Sequence, residues 1–269
     1  MFRWRYAIPP EKGGWIWWIG PLVIGVTAAG ELHPDFLAIL LGAFSGFCIR
    51  QPLSVLVRAW AHRRQNTSAR PYLIWSAIHS LIIAGAGGAL LARGYIGTLS
   101  FALAALPVFI WDLWLLARGA GRHQAARDIA ATAVLALTGP AAYWTCGGGD
   151  APTALLTWLP PALQSAVSVV HMLLRLEQRR WRQLPPLAER LKYGALPLTM
   201  HMGALGTALL LFQGRAWFAL AALAFALPAA EGLWAVLAPQ TGATPKQLGM
   251  RQLFVSTASM ALIACALTA

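Results

Sequence analysis

Apolar residues run along this chain in long blocks, and polar residues collect between them. Nine blocks stand out: Gly14–Gly30, Asp35–Trp60, Tyr72–Ala92, Tyr95–Ala117, Ile129–Cys146, Thr153–Leu174, Gly194–Phe212, Trp217–Leu237 and Leu248–Thr268. About 20 apolar residues cross a bilayer as helix. A chain in lipid must satisfy its own backbone, which makes helices the default spanning element. The pattern predicts an all-α, polytopic membrane protein, a bundle of nine transmembrane helices forming one integral membrane domain over residues 1–269. Pro140 interrupts the fifth block, and Pro160 and Pro161 the sixth.

Charge tests that count. All but two of the 21 Lys and Arg residues fall at the N-terminus or in alternate connections; only Arg93 and Arg215 fall in the others. Cytoplasmic loops carry the positive excess. The expected orientation is therefore N-terminus cytoplasmic and C-terminus periplasmic, in a bacterial cytoplasmic (inner) membrane. Missing one span would destroy the alternation. The net charge of +12, which in a soluble chain would suggest nucleic acid, is here mostly topology, and no nucleic-acid partner is expected. Basic loops also attract anionic lipid heads, by about 1 kcal/mol per residue near the surface.

Composition adds little else. The chain is 58% hydrophobic and 11% charged. The longest polar stretch, Glu177–Lys192, is expected to form a short interfacial helix broken at Pro185–Pro186. The first block follows a basic start, like a signal peptide, but its tryptophans favour an uncleaved anchor. Cys48, Cys146 and Cys265 show no paired spacing and suggest neither a disulfide nor a metal framework. Trp15, Trp17, Trp18, Trp60, Trp144 and Trp217 lie near block ends, where an interfacial belt would place them.

Polar residues inside apolar spans are costly and mark function by default. His79, Asp112, Gln164, His171, His201 and Glu231 all fall in the cytoplasmic half or at the midplane of their spans. Together they predict a polar cavity open to the cytoplasm. Its mouth is arginine-rich. Arg50, Ser54 and Arg58 share one face of the second span, and His171, Arg175 and Arg179 one face of the sixth, by spacings of four and eight. Arg50 precedes Gln51-Pro52 within an apolar run and needs an anionic partner; Glu11, beside Lys12, is one candidate. A bound phosphate is another, since guanidinium forks match phosphate oxygens in two-point contact. Asp112 and His201 are candidate proton donors or acceptors deeper in. No metal ligand set is expected.

These residues carry a resemblance. Pro9-Pro10-Glu11-Lys12-Gly13-Gly14-Trp15, Arg50-Gln51-Pro52-Leu53, Leu227-Pro228-Ala229-Ala230 and Leu248-Gly249-Met250 resemble the opening, Arg-x-Pro and closing patterns of the YwiC-like proteins. Lys12 stands where that pattern has His. The nine-span layout is more distantly similar to the UbiA superfamily of intramembrane prenyltransferases, which implies a UbiA-like bundle. In that superfamily two Asp-rich motifs hold Mg²⁺ against a diphosphate. Hard cations need clustered carboxylates, and arginines occupy the corresponding span ends here. Glu31 and Asp35 pair, but at the outer end of the second span.

Three functional classes follow. One is a binder of an amphiphile with an anionic head, an isoprenoid phosphate or another membrane lipid, clamped by Arg50, Arg58, Arg175 and Arg179. If it is an enzyme, the resemblance implies a membrane transferase without the Asp-rich motifs. The second is a quinone- or haem-binding subunit of a redox complex, with His79 and His201 at matching depth as axial ligands. The third is a small-molecule transporter built on proline-broken helices. The small residues Ala84–Gly88 could serve contacts within a larger membrane complex or internal packing. No Walker loop, dinucleotide fingerprint, paired CxxC or serine elbow is present.

Overall fold

A computed structural model describes residues 6–9, 12–61, 68–119, 124–215 and 217–268. Ten α-helices follow in chain order: α1 (Ile16–Ala29), α2 (Phe36–Ala61), α3 (Arg70–Ala92), α4 (Ile96–Arg118), α5 (Gln124–Leu135), α6 (Thr138–Thr145), α7 (Ala151–Gln178), α8 (Leu187–Leu211), α9 (Phe218–Leu237) and α10 (Pro245–Leu267). No strand occurs among the described residues. Seven helices, α2–α4 and α7–α10, are each long and apolar enough to cross a membrane. The protein is a polytopic helical membrane protein.

The remaining three helices make up the first and fifth blocks. The α-helical part of the first is 14 residues long, about 21 Å. A 3₁₀ turn at Lys12–Trp15 extends it by about 8 Å, close to the roughly 30 Å of a hydrocarbon core. The fifth block is two helices rather than the single span expected. Its break has a local cause. A proline ring clashes with the carbonyl four residues back and donates no hydrogen bond to it. For Pro140 that residue is Ala136, and the chain turns at Ala136–Leu137 before α6 begins.

The break lets α6 sit hard against its neighbours. A Cβ on Gly139 would collide with the Thr157 carbonyl of α7 and press the Pro21 carbonyl of α1; one on Gly25 would collide with the Gly139 carbonyl. Pro161 has no N–H to give Thr157's carbonyl, and the bare Gly139 backbone is what approaches that oxygen. Despite Pro160 and Pro161, α7 runs unbroken for 28 residues. It is the central post. Its spanning window is 67% buried, against 11% for α3 and for α4. α7 packs on α5, α8, α10, α1 and α6, while α3 packs chiefly on α2. Leu81, Leu103 and Ile110 point outward from α3 and α4, as lipid-facing residues must.

Three further expectations are corrected. α8 begins directly after Pro186, so the polar stretch before the seventh block forms no separate interfacial helix. Pro186 at the N-cap instead lets a single helix start seven residues early. Trp18 is buried, not interfacial. Its ring lies 6.3 Å from Phe44 and 6.1 Å from Phe47, within the core where α1 meets α2. In the small-residue run, Ala86 faces Gly42 of α2, whereas Gly85 and Gly88 face open space, so only part of that run serves internal packing.

Candidate functional site

The intramembrane polar residues gather into two clusters on different helices. In the first, Arg50 of α2 donates through Nε to Asp112 Oδ2 of α4 at 2.8 Å, and through a terminal nitrogen to Oδ1 at 3.2 Å. Arg127 of α5 reaches Asp112 Oδ1 at 3.3 Å and Asp128 at 3.0 Å. Among the described residues, two arginines here meet two aspartates. Asp112 is buried and committed to two guanidinium groups.

The second cluster surrounds Glu231 of α9. Arg175 of α7, 2% exposed, donates to Glu231 Oε1 at 2.9 Å. Arg251 of α10 donates to Glu231 Oε2. His171 Nε2 lies 3.8 Å from Oε1. His201 of α8 stacks edge-on to His171 with ring centroids 5.7 Å apart. Its Nδ1 meets the Pro197 carbonyl at 2.7 Å, and its ring fills the space above Gly232. Below Arg175, Gln178 donates to the Ala235 carbonyl at 2.9 Å, tying α7 to α9. Here two arginines share one carboxylate. A small pocket with room for about one water opens at this point, lined by His171, Met172, Arg175, Glu231, Leu248, Arg251 and Gln252.

The other predicted residues fall elsewhere. Arg58 is exposed and folds back onto its own helix, donating to the Ser54 carbonyl and hydroxyl at 3.0 and 3.2 Å. Arg179 caps the end of α7 and is exposed. Glu11 and the Lys12 side chain lie outside the described residues. The four arginines expected at one mouth are therefore separated, because Asp112 and Glu231 each recruit one of them to a different group of helices. His79 of α3 meets the Ala7 carbonyl at 3.3 Å, among Phe44 and Trp75. The histidine pair that forms is His171 with His201, not His79 with His201. Among the described residues, no three His, Cys, Asp or Glu side chains form a group able to hold a metal ion.

Sequence reading missed Arg127 and Arg251. Both count in the alternation as loop charges, yet each sits within the first two turns of a helix and reaches into the bundle. Their signal was spacing from a buried acid: Arg251 lies 20 residues after Glu231, across one short connection.

Comparison with known proteins gives one finding. The family model described as YwiC-like protein matches residues 8–143. No curated protein and no solved structure matches. The matched residues hold the Arg50–Asp112–Arg127 cluster, and the Glu231 pocket lies beyond them. Running from the first helix into the sixth over just over half of the 269 residues, the match shows that this chain belongs to the YwiC-like family.

Proposed function

We propose that this membrane protein binds an amphiphile with an anionic head group, an isoprenoid phosphate or a comparable lipid, and that the head sits at Arg175, Glu231 and Arg251. The observation that carries this reading is the two-to-one ratio of guanidinium to carboxylate at the pocket. Arg175 is buried and Glu231 supplies its compensating charge; among the described residues Arg251, 36% exposed, shares that same carboxylate and leaves one positive charge at the open side of the pocket. Among the described residues, the Asp112 cluster has no such surplus. Guanidinium groups pair with phosphate oxygens in two-point contact, so an oxyanion completes the site without a metal. The enclosed pocket has room for about one water, far below the roughly 300 Å³ at which sites for whole ligands begin. The head group sits across its open mouth, on Arg251, and the tail lies along the bundle's lipid-facing surface. The positive-inside rule, applied to the basic connections, supports a cytoplasmic position for this pocket.

A binding isotherm tests this. Purified protein in detergent is titrated with an isoprenyl monophosphate and with the matching isoprenyl alcohol. The phosphate should bind at least tenfold more tightly. Arg251→Ala should lose that preference while keeping the wild-type elution profile. Equal binding of phosphate and alcohol, or an unchanged preference in Arg251→Ala, overturns the reading.

A further inference from the structure

Behind the pocket the bundle stays polar. On α7, Gln164, Ser168, His171 and Arg175 recur at spacings of three and four, which sets them on one face. On α10, Gln252, Ser256 and Ser259 do the same. The two stripes meet: Gln252 donates to Ser168 Oγ at 2.8 Å, and Ser168 and Ser256 hydroxyls lie 3.3 Å apart. The seam is buried, with Gln164 1% exposed and Ser165, Ser168, Ser256 and Ser259 no more than 2%.

The seam is also under-satisfied. Both side-chain polar atoms of Gln164, the hydroxyls of Ser165 and Ser259, and Nδ1 of His171 have no hydrogen-bond partner in the protein. A buried polar group without a partner keeps its full desolvation penalty. Buried water normally satisfies such groups, making two to four hydrogen bonds each. Isolated orphans occur in many proteins. Four such atoms, on Gln164, His171 and Ser259, lie along one seam continuous with a pocket and make it a site.

The seam has one open end. From Arg175 to Gln164 is eleven residues of α7, about 16 Å, or half of a roughly 30 Å hydrocarbon core. Beyond Gln164 and Ser259 the same helices meet through apolar side chains. Leu163 packs against the cluster that holds Ile263 and Ala264, and Leu156 and Ala266 pack with Phe212.

We infer that the α7–α10 seam is a one-sided water inlet, holding a file of water from the Glu231 pocket to Gln164 and giving His171 a route for proton exchange inside the bundle. It stands on helix packing and does not depend on which ligand occupies the mouth.

The test uses the wild-type chain in bilayers and needs no ligand. Water-edited solid-state NMR measures how fast magnetisation passes from water protons to each side chain. The Gln164 amide and the His171 ring should build up at least five times faster than Ile24 in the apolar cluster. Ser256→Val, which removes a hydroxyl midway along the seam, should slow build-up at Gln164 and spare His171. Build-up at Gln164 no faster than at Ile24 shows a dry seam and overturns the inlet. Equal slowing at Gln164 and His171 in Ser256→Val overturns entry from the pocket side.

Discussion

At the scale of single residues, what matters is how each ionisable group is partnered. Glu231 is the hinge of its cluster, since removing it leaves Arg175 buried without a carboxylate. Glu231→Ala should lower unfolding free energy by about 3–5 kcal/mol, the cost of breaking a buried pair from one side. Asp35 is the contrast. It pairs with Arg93, whose side chain is 62% exposed, and Asp35→Ala should cost at most about 1 kcal/mol. Denaturant unfolding of both variants in the same detergent decides; similar losses would contradict the geometry. Asp150, in the connection before α7, offers a pH test. It accepts a hydrogen bond from the Tyr143 hydroxyl and one from the Thr153 backbone at 2.7 Å. Chiefly through the Tyr143 bond, its carboxyl is held below its ordinary value of 3.8. A folded pKa below the unfolded one means stability that is complete above the unfolded value, near 4, and lost as pH falls through the folded value. The stability gap between wild type and Asp150→Asn should hold steady from pH 7 to about 5 and close below about 4. A gap that ignores acid would show the carboxylate is not the active partner. Of these residues, Glu231, His171, Arg175 and Asp112 were legible in the sequence as costly intramembrane groups. Their pairings were not, because a partner 56 or 62 residues away has no signature in local spacing.

At the scale of elements, proline and glycine decide where helices stop and how closely they meet. Apolar patterning located α2–α4 and α7–α10 within a few residues, except that α8 begins seven residues before its block, because hydrophobic length alone specifies a spanning helix. It could not split the fifth block. Pro140 breaks its helix while Pro160 and Pro161 leave α7 whole, its spanning window 67% buried among helices that can support freed backbone groups. The contact at Gly139 gives the test. Gly139→Ala forces a methyl group against the backbone of α7 and should cost about 1–3 kcal/mol, the usual penalty of overpacking. Gly203 on α8 has open space where a Cβ would go, and Gly203→Ala should be neutral or stabilising by up to about 1 kcal/mol. Paired thermal melts check both. If Gly139→Ala melts with the wild type, α6 is not seated against α7.

At the scale of the whole molecule, the alternation of basic connections sets direction. The nine blocks read from the sequence predict ends on opposite sides of the membrane, and reporter fusions after Arg180 and after Arg215 should then read cytoplasmic and periplasmic respectively. The same side at both points would remove the predicted orientation and, with it, the cytoplasmic placement of the Glu231 pocket. The Arg-x-Pro and opening motifs that resembled YwiC-like proteins lie inside the matched residues, while the pocket forms from α7–α10. The sequence by itself determined that this is a helical membrane protein, roughly where its helices run, and that polar groups share part of its interior. Those follow from hydrophobic length and the cost of burying charge, both local and one-dimensional. Only the tertiary structure decided which acid neutralises which arginine, and that the charges form two clusters on different helices. It also brought the stripes of α7 and α10 face to face. Those outcomes depend on which helix faces pack together, and a helix face acquires its neighbours only when the bundle closes.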